Sequence, residues 1–209
     1  MVFALASLSF GCLIGQFYGW WSMRVVGDWG LPPATAWLGY TAWRHREQPR
    51  SLTNPHTWIV HGSVGGLLAA FAYDLYRLPF VLRGEALFNV FPRFGELLLG
   101  SSGPRWAILA VGWTYHFSNG AALGIMFLVL AGGCRRLPLL WGAVGWALFV
   151  EAMLLLTPYA AFFGLPLNGR FMFLTASAHL VFGVALGSYL RTMLPRTGDR
   201  RRPNSEKAN

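Results

Sequence analysis

The sequence predicts an all-α protein: a polytopic bundle of about five transmembrane helices, with an amphipathic segment lying on the membrane surface between the second and third. Three observations carry that expectation. Of 209 residues, 55% are apolar and only 12% charged, too few charges to cover a soluble domain of this size. Five apolar runs reach about the 20 residues that a helix needs to cross hydrocarbon. The 17 basic residues, all Arg except Lys207, fall almost wholly between those runs or after the last; against 8 acids they give a net charge of +9. Scattered in this way they suit anionic headgroups and leave no continuous face for nucleic acid.

The first run, residues 2–23, carries Gly11, Gly15 and Gly19 at four-residue spacing, a stripe that lets a neighbouring backbone come close. No basic region opens it, so an uncleaved span is expected rather than a leader peptide. Residues 24–55 contain Pro32, Pro33 and the group Arg44, His45, Arg46 and Arg50, which predicts a loop with an interfacial helix over 34–43. The second run, 56–78, should stop at Pro79. Residues 80–103 alternate apolar positions with Arg83, Glu85, Arg93 and Glu96 and are broken by Pro92, as in a piece lying along the interface. Spans three, four and five follow at 105–132, 139–157 and 171–191. Residues 1–194 then form one transmembrane domain, and the polar, basic stretch 195–209 a disordered cytoplasmic tail.

Five crossings put the two termini on opposite sides. Twelve basic residues fall after spans one, three and five, against five in the remaining loops, so the N-terminus is expected outside and the C-terminus inside a cytoplasmic (inner) membrane. Cys12 and Cys134 are too few and too far apart for a disulfide framework or a thiolate metal site.

Polar groups within these runs are the candidate site, because at bilayer depth they cost free energy unless they face the protein interior. Asp74 and Glu151 fall roughly 7 to 9 Å below the outer ends of spans two and four, and His116 and His179 roughly 13 to 16 Å below those of spans three and five. His116 is followed by Gly120 and Gly124, His179 by Gly183 and Gly187, and His61 by Gly65 and Ala69. Such glycines either pack helices or clear volume beside an imidazole for a macrocycle. His61 lies near the cytoplasmic end, and the Asp74 face is not its own.

Asn119 shares the His116 face, and Thr175 shares that of His179. Asp74 has Arg77 one turn on, whereas Glu151 has only apolar neighbours and needs a cation, a metal or a proton. The expectation is an outward-opening pocket in which His116, His179 and Asn119 bind a metal or haem-type cofactor. In it Glu151 is a third metal ligand or proton acceptor, and Asp74 with Arg77 forms a gate. The chemistry would be redox or metal-assisted. Two rivals stand beside it: a proton- or ion-coupled transporter, and a structural subunit that meets lipid, a larger complex or its own copies through its small-residue faces. No HExxH pair, phosphate-binding glycine loop or serine elbow points elsewhere.

Overall fold

The computed structural model describes residues 1–134 and 138–194, all of whose regular structure is helical. The expected disordered tail, 195–209, and the basic pair Arg135 and Arg136 lie outside the described residues. The helices are α1 (Val2–Phe17), α2 (Met23–Trp29), α3 (Leu31–Arg44), α4 (Pro55–Val81), α5 (Val90–Leu99), α6 (Arg105–Gly133), α7 (Leu139–Leu156), α8 (Tyr159–Phe162) and α9 (Gly169–Met193). Four of them, α4, α6, α7 and α9, are long and apolar enough to cross a membrane, and α1 is a shorter apolar helix.

Helix starts follow from local chemistry. The Asn54 side chain accepts from the His56 amide at the head of α4, and Asn168 does the same for Phe171 at the head of α9. Pro32 and Pro33 do not keep the chain in a loop. They occupy the first turn of α3, where a missing N–H costs nothing. Pro92 likewise sits in the first turn of α5 rather than breaking it. Pro79 does not end α4, which runs on to Val81. The donor that proline lacks falls in the last turn, where the lost bond is one of few remaining.

The nine helices of the described residues group as three hairpins, α1–α2–α3, α4–α5–α6 and α7–α8–α9, each with its short helix in the connection. Facing residues give the directions: Gly62 with Ile125 and Gly66 with Gly120 set α4 against α6, and Gly187 with Leu140 and Gly183 with Val144 set α7 against α9. All three connections lie at one end of the bundle, called here the α5 end. The other end carries Arg44, Arg46, Arg50 and Arg191.

One expectation is overturned by α3. It does not lie apart as an interfacial helix but runs back along α1: Leu31 packs against the cluster that holds Met23, Phe94 and Cys12, while Leu38 and Ala42 belong with the cluster of Val2, Ala6, Ile59 and Ile125. The start of α1 therefore stands beside the last turns of α6, as does the end of α9, whose Leu190 and Leu194 pack with Ala131. The start of α1 and the end of α9 thus lie at the same end of the bundle. Arg24 moves with α2 to the α5 end, within 3.8 Å of the space above Gly100. The amphipathic segment is present as α5. It exposes Arg93 and packs Phe91, Phe94 and Gly95 against the first turns of α6.

Candidate functional site

The repeated spacing of histidine and glycines is a helix-packing device that also sets the site. A Cβ at Gly120 would stand 2.7 Å from that of Ala70, and one at Gly183 would stand 2.6 Å from the Val144 Cα, both closer than real atoms approach. Neighbouring backbone fills the volume these glycines clear, so none is left there for a macrocycle. With the helices this close, the histidine one turn before the glycines reaches a carboxylate on the partner helix. His116 Nε2 is 2.8 Å from Asp74 Oδ2, and His179 Nδ1 is 2.9 Å from Glu151 Oε2. Two hairpins thus carry the same arrangement, a carboxylate on the outgoing helix and an imidazole on the returning one.

The third copy serves elsewhere. His61 Nδ1 is 3.2 Å from the Tyr189 hydroxyl near the opposite end of the bundle, and Gly65 packs under the same tyrosine. The α1 stripe is different again. Gly11 faces nothing within 4 Å, Gly15 lies under the Trp21 ring, and Gly19 falls in the turn after α1 with φ +68°. It is not the helix-packing face that its spacing suggested.

Hydrogen-bond roles can be assigned. His179 Nδ1 is also 2.9 Å from the Thr175 carbonyl, which can only accept, so Nδ1 carries a proton and Nε2 is the nitrogen left over. Asp74 stands between two donors. Its Oδ1 is 3.4 Å from Arg77 Nη1, and its Oδ2 takes the Nε2–H of His116, leaving Nδ1 over. Arg77 also donates to the Leu87 carbonyl and lies over the rings of Tyr73 and Phe88 at 4.6 and 4.9 Å. The expected Asp74–Arg77 pair therefore exists. It is buried in the protein, with side chains 9% and 5% exposed, rather than at a headgroup boundary.

Among them lies a cavity of about 130 Å³, lined by Tyr73, Arg77, His116, Asn119, Glu151 and His179 on its polar side. Asp74 is not in the wall; it holds two groups that are. Asn119 accepts from the Ser9 hydroxyl at 2.7 Å and so fastens α1 to α6 beside the cavity. Phe91 and Phe94 of α5 close the α5 end together with Tyr159 and Ala160 of α8. Tyr159 lies in the α7–α9 connection, and desolvation holds its phenol above its ordinary value. Tyr73 and Glu151 push the same way and Arg77 against. Two cavity-lining groups have a buried polar atom without a hydrogen-bond partner, Glu151 Oε1 and Arg77 Nε.

Of the metal set anticipated from His116, His179 and Glu151, the carboxylate is engaged through Oε2 with His179 itself. Among the described residues no group of three or more His, Cys, Asp or Glu side chains is arranged to hold a metal ion. Bis-histidine haem ligation is poorly served too, because the spare nitrogen of His116 is Nδ1, which is crowded by its own Cβ. Both cysteines are free.

Sequence reasoning missed Tyr73, whose ring centroid lies 5.0 Å from that of His179 and 6.1 Å from that of His116. Its adjacency to Asp74 in an apolar run was the available signal. Phe91, 4.5 Å from the His116 ring, comes from a segment assigned to the membrane surface and gave no signal. Comparison of the chain with known protein families, with characterised proteins and with solved structures finds no match.

Proposed function

We propose that this multi-pass membrane protein works through an intramembrane proton-exchange site: His116 and His179 carry protons to and from whatever occupies the cavity, and Glu151 is their acceptor. Asp74 orients His116 and balances Arg77, and Asn119 keeps α1 in place. What supports this function is one observation, that two carboxylate-oriented imidazoles and the partnerless Glu151 Oε1 line the same cavity.

Charge counting points the same way. With both carboxylates ionised and both imidazoles neutral, the buried set has two negative charges against the single positive one of Arg77. A net charge is expensive away from water, so one further proton on Glu151 or on an imidazole brings the set to neutrality. A site one proton short of neutrality in one state, and neutral in the other, is suited to passing that proton on. The carboxylate–imidazole contacts and this charge balance make proton exchange the better supported chemistry. By the distribution of basic residues, the end bearing Arg44, Arg46 and Arg50 faces the cytoplasm and the site lies in the outer half of a cytoplasmic membrane.

Infrared difference spectroscopy of the full chain in nanodiscs, taken across about pH 5 to 8 where imidazole titrates, tests the proposal. The expected result is a carboxyl or imidazole band that titrates in this window and is abolished in both Glu151→Gln and His179→Gln. A wild-type protein with no titrating buried band overturns it.

A further inference from the structure

We infer that the cavity is entered sideways from the lipid, between α1 and α7, and that its ligand is a neutral amphiphile with a hydroxyl head: a long-chain alcohol or a phenol with an apolar tail. The inference rests on the proton-exchange function proposed for the same cavity and adds the class of molecule it serves.

The route follows from helix packing. α7 lies along α9 and touches α6 only slightly, and α1 and α7 do not run along one another. Both nonetheless line the cavity, α1 through Phe10 and Leu13 and α7 through Val150 and Leu154. Each end of this gap is closed. Toward the α5 end, Tyr159 of α8 packs on Phe17 of α1 with ring centroids 5.6 Å apart. Toward the other end, the Trp146 indole donates to the Leu123 carbonyl at 3.2 Å and packs against the cluster containing Val2 and Ala6. That leaves the seam between α1 and α7, with its apolar jambs, as the side through which a ligand reaches the cavity.

The ligand class follows from the far wall. Glu151 Oε1 is an acceptor without a donor and Arg77 Nε–H a donor without an acceptor, and both belong to side chains more than nine-tenths buried. A hydroxyl both donates and accepts, so it can meet either atom. With both carboxylates ionised and both imidazoles neutral the set has an excess of negative charge, which disfavours an anionic head. The cavity is close in size to the roughly 150 Å³ void that takes one benzene ring, so it seats a head and the first carbons only, and the tail must leave through the seam into lipid.

The test uses the full chain in phosphatidylcholine nanodiscs with two photoactivatable probes, a long-chain primary alcohol bearing a diazirine in its chain and the methyl ether of the same alcohol. The alcohol should label peptides containing Phe10 and Leu154, and the ether should label them about tenfold less, the worth of one hydrogen bond to a charged partner. Leu154→Trp should narrow the seam and reduce that labelling several-fold, and Phe10→Trp should do the same from the opposite jamb. Leu148→Trp, on the lipid face of α7, should leave it unchanged. Equal labelling by alcohol and ether, or labelling that both jamb variants leave intact, overturns the inference. A titrating infrared band with unselective labelling defeats this inference alone, whereas selective labelling without the band defeats the proton-exchange function and leaves the binding site standing.

Discussion

Asp74 and Glu151 hold their histidines alike but stand in different electrostatic company, so neutralising them should differ in cost. Asp74 is the counter-charge of Arg77, a guanidinium 5% exposed and unable to lose its proton. Asp74→Asn leaves that charge buried without compensation and should destabilise the protein by about 3 to 5 kcal/mol. Glu151→Gln keeps an oxygen for His179 Nδ1–H and removes no ion partner, so a loss nearer 1 kcal/mol is expected. Thermal unfolding of the two variants side by side in one detergent checks the order, and equal losses would mean that Arg77 is compensated elsewhere. Tyr159 gives a pH dependence. The folded chain holds the phenol proton more tightly than the unfolded chain, so this contribution is complete below the ordinary phenol value of about 10 and falls as pH rises above it. Tyr159→Phe should flatten the alkaline fall in the unfolding midpoint. Each of these side chains was conspicuous or inconspicuous in the sequence for one reason, its neighbours. Glu151 stands out among Phe149, Val150, Ala152 and Met153, whereas Tyr73 and Tyr159 are aromatic residues in aromatic-rich stretches.

At the scale of the element, two kinds of glycine look alike in sequence and differ in the fold. A Cβ on Gly66 would run into the Gly120 carbonyl and come within 3.0 Å of the Ala121 Cα, where backbone cannot yield. Gly66→Ala should therefore cost about 1 to 3 kcal/mol and loosen the α4–α6 contact that brings Asp74 to His116. A Cβ on Gly11 meets nothing within 4 Å, and Gly11→Ala should stay within about 0.5 kcal/mol. Unfolding midpoints of the pair measure the difference, and a costly Gly11→Ala would show that α1 has a close neighbour this fold does not give it. Periodicity locates a small-residue face but not what covers it. The long apolar runs of α4, α6, α7 and α9 were legible because length and composition alone define them. The pairing of α4 with α6 and of α7 with α9, on which both His–carboxylate contacts depend, is a property of the assembled bundle, to which no single run testifies.

For the whole molecule, the decisive element is α3, and it was misjudged because its evidence was split. Pro32 and Pro33 suggested a loop, Arg44 to Arg50 suggested an interface, and the 14 residues between Gly30 and His45 are too few for an ordinary span. Yet no charge occurs from Leu31 to Trp43, and the helix exposes Trp37 and Trp43 while its other side packs on α1 and α4. At 1.5 Å per residue α1 and α3 are about 24 and 21 Å long, short of a roughly 30 Å hydrocarbon layer. Because α3 runs back along α1, the start of α1 and the end of α9 lie at one end of the bundle, the end holding Arg44, Arg46, Arg50 and Arg191. Moving Arg24 to the other end leaves eleven basic residues against six, so the orientation proposed above keeps its positive-inside bias. A reporter that fluoresces only in the cytoplasm, fused ahead of α1 in one protein and after α9 in another, should light up in both. A cysteine placed at the exposed Arg83, in a background lacking Cys12 and Cys134, should react with an impermeant maleimide from outside the cell. Reporters on opposite sides would mean that the α1–α3 hairpin does not traverse the bundle as its packing describes, and the seam between α1 and α7 would lose one of its jambs.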